Sequence, residues 1–172
     1  MMELNEKESS ACQQELESLL KHFDMIAGAV LSTQDGLLVA GVAHSNDIET
    51  DAIAAMSSSI LSLADALAGQ AGKPLVNNVI SQAESSTLVI LHAGELILTV
   101  VGRAEINVGL VLSAARRTAE AIDKLTKRFG EESREINEKS GGVSILDNPD
   151  VLLERIRKEM LEMKRRHTNE FN

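Results

Sequence analysis

The stretch MIAGAVLSTQDGLLVAGVA, residues 25–43, predicts a β-hairpin and sets the starting point of the fold. Two apolar runs, residues 25–32 and 37–43, flank the pair Asp35-Gly36. An Asp-Gly pair between apolar runs is a strong hairpin signal, because glycine adopts a positive φ at little cost. The two runs are therefore predicted to be neighbouring antiparallel strands.

Helical patterns lie on both sides of this hairpin. Residues 8–23 carry apolar side chains at the spacing of an amphipathic helix. Asn46 or Asp47 is predicted to cap a second helix that ends near Gly69, where a glycine can terminate a helix. Asn107 is predicted to cap a third helix, whose apolar stripe consists of Val111, Ala114, Thr118, Ile122, Leu125 and Phe129.

Three β-like runs lie between the second and third helices, at residues 75–82, 87–92 and 96–101. Their connections are too short to hold crossover helices, so the three strands are predicted to form an antiparallel meander. The element order is then α-ββ-α-βββ-α. This order predicts an α/β sandwich, in which a five-stranded antiparallel sheet carries helices on both faces.

The chain is predicted to have four parts. Residues 1–12 form a polar tail, residues 13–129 the folded domain, residues 130–147 a charged linker, and residues 148–168 a C-terminal amphipathic helix. The order Asn148-Pro149-Asp150 is typical of a helix start. The apolar side of this helix is a candidate partner-binding surface, formed by Leu152, Ile156, Met160 and Met163.

Three interpretations of the C-terminal helix remain open from the sequence. The helix could dock on its own domain, bind a protein partner, or lie on an anionic membrane. The membrane interpretation is the weakest, because the helix lacks the bulky aromatic side chains common in such segments.

Composition excludes several classes of partner. Of the 172 residues, 44% are hydrophobic but only 2% are aromatic, so the core must be aliphatic and offers no stacking platform for bases. The net charge of −9 repels phosphate backbones. We therefore expect no nucleic-acid partner.

The cellular location is expected to be the cytoplasm. Cys12 is the only cysteine, so no internal disulfide is possible, which fits a reducing compartment. The first twelve residues lack the apolar core of a signal peptide. No run approaches about 18 uninterrupted apolar residues, so no membrane insertion is expected.

Motifs that would carry chemistry are weak in this sequence. Residues 69–74, GQAGKP, have two residues between the glycines and Pro after Lys, whereas a phosphate loop needs four residues there and Ser or Thr after Lys. The histidines lack the spacing of metal ligands, and no carboxylate pair suggests acid–base catalysis. We expect no catalytic residue, no cofactor and no metal, and thus no enzyme.

The second helix carries two non-polar stripes. The bulky stripe is predicted to cover the sheet of its own domain and comprises Ile53, Met56, Ile60, Leu63 and Leu67. The small stripe beside it comprises Ala52, Ala55, Ser59, Ser62 and Ala66. The small stripe is either a weakly polar exposed face or a second packing surface, where small side chains let another helix approach to about 8 Å. The second interpretation is favoured, since a helix with two non-polar faces has two partners.

Three segments in this order and spacing carry a resemblance to a known family. They are GAVLSTQDGLLVA at residues 28–40, DAIAAMSSSILSLADALA at residues 51–68 and INVGLVLSAARRTAEAI at residues 106–122. Over residues 13–129 the chain resembles the Roadblock/dynein-light-chain family. Its prokaryotic members, which include the mutual-gliding-protein B type, are the most similar.

The resemblance implies a profilin-like fold and a homodimer. In the family the central helices pair across a two-fold axis, and the third strands pair so that one sheet runs through both subunits. Carried over to this sequence, the implied dimer interface consists of Ala52, Ala55, Ser59, Ser62, Ala66, Val76, Asn78 and Ile80.

The resemblance also implies a function. Family members bind small Ras-like GTPases or link motor and signalling subunits, and the mutual-gliding-protein B type promotes GTP hydrolysis without inserting an arginine finger. The implied function is a non-catalytic homodimeric adaptor that regulates a small Ras-like GTPase. Two alternatives stay open: a small-ligand sensory module, and a structural scaffold subunit without GTPase regulation. The candidates for a supplied positive charge are Arg103, Arg116, Arg117 and the terminal basic cluster, and Arg103, near the end of the fifth strand, is the only one expected on a loop.

Overall fold

The computed structural model describes residues 6–72, 75–103 and 106–139, and within them the elements follow the predicted order. The three helices of these residues are α1 (Glu6–His22), α2 (Thr50–Gln70) and α3 (Val108–Lys139). The strands are β1 (Ile26–Ser32), β2 (Leu38–Ala43), β3 (Val79–Gln82), β4 (Ser86–Ala93) and β5 (Leu96–Arg103).

The five strands form one antiparallel sheet in the order β2-β1-β5-β4-β3. The predicted hairpin joins β1 to β2, and Gly36 has a φ of 86° in its turn. The predicted meander joins β3, β4 and β5. The central pairing of β1 with β5, which unites the hairpin and the meander, has no counterpart in the local sequence patterns.

Helices cover both faces of the sheet, but the two layers differ in size. On one face α1 and α3 bury a large aliphatic cluster, which includes Leu16, Leu31, Leu98 and Ile122. On the other face α2 contributes Leu61 to a small cluster with Ile90 and Ile97. Alternate residues of one strand point to opposite faces, so β4 and β5 serve both layers.

Several element ends differ from the sequence-based predictions. Asn107 caps α3 as predicted, since its Oδ1 accepts a hydrogen bond of 3.2 Å from the Leu110 N–H. The predicted cap of α2 is wrong: Glu49 occupies the N-cap without a side-chain hydrogen bond, and Asp47 is bonded to Ser45 instead. A capping side chain is not required where packing on the sheet places the helix.

The helices at the two ends of the domain are longer than predicted. α1 begins at Glu6 and so includes half of the predicted polar tail. α3 continues to Lys139, ten residues into the predicted linker, because Gly130 alone costs a helix only about 1 kcal/mol. The chain divides into two compact units, Met1–Phe129 and Gly130–Asn172. The predicted C-terminal helix at residues 148–168 lies outside the described residues.

Candidate interaction surface on α2 and β3

The face of α2 that packs on the sheet is built mainly from small side chains. Its buried residues are Ala54, Ser57, Ser58 and Leu61, and Leu61 is the only large one. The Ser58 hydroxyl donates a hydrogen bond to the carbonyl oxygen of Gln34 in the β1–β2 turn. Small side chains let the helix lie close to the strands, in the same way that they shorten helix–helix distances.

The prediction that the bulky stripe covers the sheet is wrong. Met56, Ile60, Leu63 and Leu67 are 57%, 44%, 72% and 71% exposed, and Ile53 is half-buried. Mostly small residues occupy the side of α2 that lies against the sheet. Because successive residues of a helix are rotated by 100°, the bulky residues between them lie on the outer side. The large apolar surface of α2 is therefore unpartnered within the described part of the chain.

The small stripe lies on the same outer side of α2. Ala55, Ser59, Ser62 and Ala66 are exposed, and Ala52 is half-buried. The two stripes thus form one broad, weakly polar to apolar outer face, which we call the α2 face. The hairpin turn bounds the α2 face on the side of Ala55. The turn lies so close to the helix there that a Cβ atom added to Gly36 would be 3.0 Å from the Ala55 Cα.

The edge strand β3 lies on the border of the sheet and pairs only with β4 among the described strands. The Ala83 N–H donates to the Ser86 carbonyl, so the alternation of an antiparallel ladder directs the N–H groups of Ile80 and Gln82 away from β4. Ile80 is 38% exposed. We call this outward row the β3 edge, and it has the groups needed to continue the sheet.

Two of the predicted interface residues have intramolecular contacts. The Val76 side chain packs against the small cluster around Leu61. The Asn78 Oδ1 accepts a hydrogen bond of 3.1 Å from Arg116 Nη2. Both residues lie in the segment that leads into β3, so they position the β3 edge from within the domain.

The opposite border of the sheet is closed by α1. The Gln13 side-chain amide donates to the Gly41 carbonyl oxygen and accepts from the Gly41 N–H, both at 3.2 Å. Ser9 donates to the Val39 carbonyl oxygen at 2.9 Å. These side chains satisfy outward groups of β2, as a neighbouring strand would. Open sheet edges invite pairing with another chain. Within the described part of the chain the sheet is protected at β2 and open at β3.

The described residues offer little for chemistry. They contain no group of three or more His, Cys, Asp or Glu side chains that could hold a metal ion. Burial, with a smaller effect from Glu8 and Glu15, raises the pKa of the Cys12 thiol to about 11, which opposes formation of a nucleophilic thiolate.

Two open grooves of about 400 and 430 Å³ flank α3, one beside His92 and Arg116 and the other beside Arg117.

The composition of α2 reflects its two faces. Among the described residues it is the one helix long and apolar enough to cross a membrane by length and composition. Only 22% of its most apolar 18-residue window is buried. A helix that packs on a sheet with one face and binds a protein with the other face is equally apolar over its length.

Solved structures with the same fold define the class of this protein. MglB of Myxococcus xanthus superposes with a TM-score of 0.67 at 17% identity, over 74% of this chain and 96% of MglB. The gliding protein MglB of Thermus thermophilus gives 0.65 at 21% identity, over 73% and 95% of the two chains. Profilin II of Acanthamoeba castellanii gives 0.50 at 18% identity, over 65% and 96%. The domain is a profilin-like α/β sandwich, as predicted.

The family follows from the sequence match. The model of the Roadblock/LC7 domain matches residues 12–102, and the chain belongs to this family of small adaptors and regulators. Two uncharacterized proteins of Methanocaldococcus jannaschii are 28% and 26% identical over 97 and 103 residues. Those alignments cover 56% and 60% of this chain and 84% and 86% of the two relatives.

Proposed function

We propose that the protein is a homodimeric adaptor that binds a small Ras-like GTPase and regulates it without catalysing a reaction itself. The homodimer is supported by one observation: the same domain has both the α2 face and the β3 edge. Neither surface is covered by the residues that the structure describes, and the family resemblance implies that both pair with a second copy. Dimerisation would cover the exposed leucines of α2 and satisfy the outward groups of β3 together.

The chemistry of the α2 face supports a second copy as its occupant. Between Asp51 and Gln70 the helix carries only one charge, Asp65, so two such faces meet without charge repulsion. Four large apolar side chains are 44–72% exposed on each copy. Contiguous apolar surface of this kind marks protein interaction sites, and a two-fold axis brings the same patch of both copies together.

The GTPase partner is supported by family membership. The chain belongs to the Roadblock/LC7 family, and the resemblance implies a small Ras-like GTPase as the partner of such a protein. Stimulation of GTP hydrolysis requires a supplied positive charge or correct placement of the partner's water-orienting residue. We propose placement, because the resemblance to the mutual-gliding-protein B type implies stimulation without an inserted arginine finger.

The homodimer is tested by Leu63→Arg. Leu63 is 72% exposed, so the variant folds, but the dimer would bury an uncompensated charge from each copy. An unpaired buried charge costs several kcal/mol, which corresponds to a loss of affinity of about a thousandfold or more. Sedimentation equilibrium is expected to show a dimer for the wild type and a monomer for the variant at micromolar concentration. Leu110→Arg, on an exposed residue of α3, is the matched control and should remain dimeric.

The GTPase is tested separately. Wild-type protein is used as bait in lysate of the native cell with a non-hydrolysable GTP analogue, and the bound chains are identified. A Ras-like GTPase is expected with the wild type, and its purified form should bind in a nucleotide-dependent manner. Recovery of no such GTPase would contradict this part of the proposal and would favour a scaffold subunit. A selective thermal shift with a metabolite would instead favour a sensory module.

A further inference from the structure

The C-terminal half of α2 contains one charged side chain, and the only other charged residue of the helix is Asp51 in its first turn. Asp65 is the only acidic or basic residue between Asp51 and Gln70. The helix dipole acts mainly on the first and last turns, and Asp65 lies outside both, so α2 itself gives no electrostatic reason for a carboxylate at this position. The role of Asp65 must come from its contacts outside α2.

Those contacts join three elements of the domain. Asp65 Oδ1 accepts a hydrogen bond of 2.8 Å from the Val76 N–H, in the segment that leads into β3. Asp65 Oδ2 lies 3.0 Å from His92 Nε2 on β4. The carboxylate is 18% exposed and the imidazole 27% exposed, so both are largely removed from solvent. Hydrogen bonds to a charged group are stronger than neutral ones, especially away from water.

The segment ahead of β3 is held at two points. Asp65 on α2 fixes the Val76 backbone, and Arg116 on α3 donates to the Asn78 side chain. β3 begins at Val79, directly after these two points. Asp65 therefore links α2 directly to the segment that leads into β3, in addition to the β3–β4 ladder and the packing of Val76 on the small cluster.

We infer that Asp65 is a positioning residue for self-association, which fixes the β3 edge relative to the α2 face so that both meet a second copy at once. The inference rests on the proposed homodimer. When two surfaces are held rigidly relative to each other, both can bind the second copy without a further loss of conformational entropy. When they move independently, that entropy is lost on binding and the dimer affinity is lower. Asp65 thus raises dimer affinity although its carboxylate contacts only its own domain.

The first test measures the dimer dissociation constant of Asp65→Ala by sedimentation equilibrium. The expected result is an increase of about tenfold, although no residue of the α2 face or the β3 edge is replaced. Asp51→Ala is the control, because it also replaces an aspartate of α2 by alanine but at an exposed position. It should change the dimer dissociation constant by less than about twofold. If Asp65→Ala does not fold, Asp65→Asn is used; its amide oxygen still accepts from Val76, so an increase of less than about threefold is expected, and a full tenfold increase would overturn the role of the Val76 hydrogen bond.

A thermodynamic cycle separates positioning from general stabilisation. Ile80→Pro removes the outward N–H of residue 80 and so weakens pairing through the β3 edge, and in that background the alignment of the two surfaces contributes much less to affinity. Asp65→Ala is then expected to weaken the remaining dimer by less than about twofold. A full tenfold effect in the Ile80→Pro background, or no effect in the wild-type background, would overturn the inference. A wild-type protein that is monomeric at micromolar concentration would instead overturn the homodimer proposal, so the two failures are distinguishable.

Discussion

The carboxylate of Asp123 on α3 occupies the space beside Gly94 in the β4–β5 turn that a Cβ atom would need. Gly94 has a φ of 66°, in the left-handed region that favours glycine. Asp123 is held in place by Lys127, whose Nζ donates to its Oδ2 at 2.7 Å. Two independent requirements therefore select glycine at this turn, and together they dock the β4–β5 hairpin onto α3.

We predict that Gly94→Ala destabilises the protein by about 1–3 kcal/mol, mainly because alanine is strained at a φ of 66°, with a smaller contribution from rotation of the Asp123 carboxylate. Urea unfolding measures the change. Asp123→Ala in the Gly94→Ala background should recover part of the loss, since it removes the clash but leaves the strained φ. Gly69→Ala is the control: beyond its two chain neighbours and the backbone of α2 itself, no atom of another described residue lies within 4 Å of its Cβ position, so a small gain of up to about 1 kcal/mol is expected. Equal losses at both glycines would contradict this account.

Gln13→Ala is predicted to open the protected border of the sheet. The variant loses both hydrogen bonds to Gly41, at a cost of about 1–2 kcal/mol in the free energy of unfolding. The freed groups of β2 should also promote association beyond the dimer, visible by light scattering at high concentration. The neighbouring Gln14 is exposed, so Gln14→Ala should change neither property. Matching results for the two glutamines would show that the amide of Gln13 does not protect the edge.

Ile80→Pro is predicted to weaken the dimer while leaving the β3–β4 ladder intact. Proline removes the outward N–H of residue 80, and proline is tolerated on edge strands. By two-fold symmetry two hydrogen bonds of about 1 kcal/mol each are lost, which corresponds to about thirtyfold in Kd. Sedimentation equilibrium measures the constant. Ile80→Thr keeps the N–H and the β-branched shape, and a loss as large as that of proline would assign the effect to the side chain instead.

Arg103→Ala is predicted to reduce any stimulation of GTP hydrolysis by less than about tenfold, because we propose that the protein places residues of its partner and supplies no finger. The Arg103 side chain is exposed at the end of β5, and its backbone N–H donates to Met25. Single-turnover hydrolysis by the purified GTPase measures the effect, with Arg117→Ala on α3 as the control. Removal of a finger costs about 10³–10⁵ in rate, so a thousandfold loss at unchanged affinity would identify Arg103 as one.

The sequence determined the elements of the fold, because their signals are local. The Asp35-Gly36 turn, the Asn107 cap and the short connections of the meander depend on residues within a few positions of each other. The resemblance then supplied the profilin-like arrangement and the family. Residues 148–168 lie outside the described residues, and their partner-binding role stays a prediction.

Only the tertiary structure decided which side of α2 is free. The helix has apolar or small residues on nearly every side, so periodicity does not reveal that Ala54 and Ser57 face the sheet while Met56 and Leu63 face outward. Which side of α2 packs on the sheet depends on the distance between the helix and the strands. Strands from distant parts of the chain set that distance. The same holds for Gln13 with Gly41 and for Asp65 with Val76 and His92. These contacts join residues 11 to 28 positions apart, which no local pattern brings together.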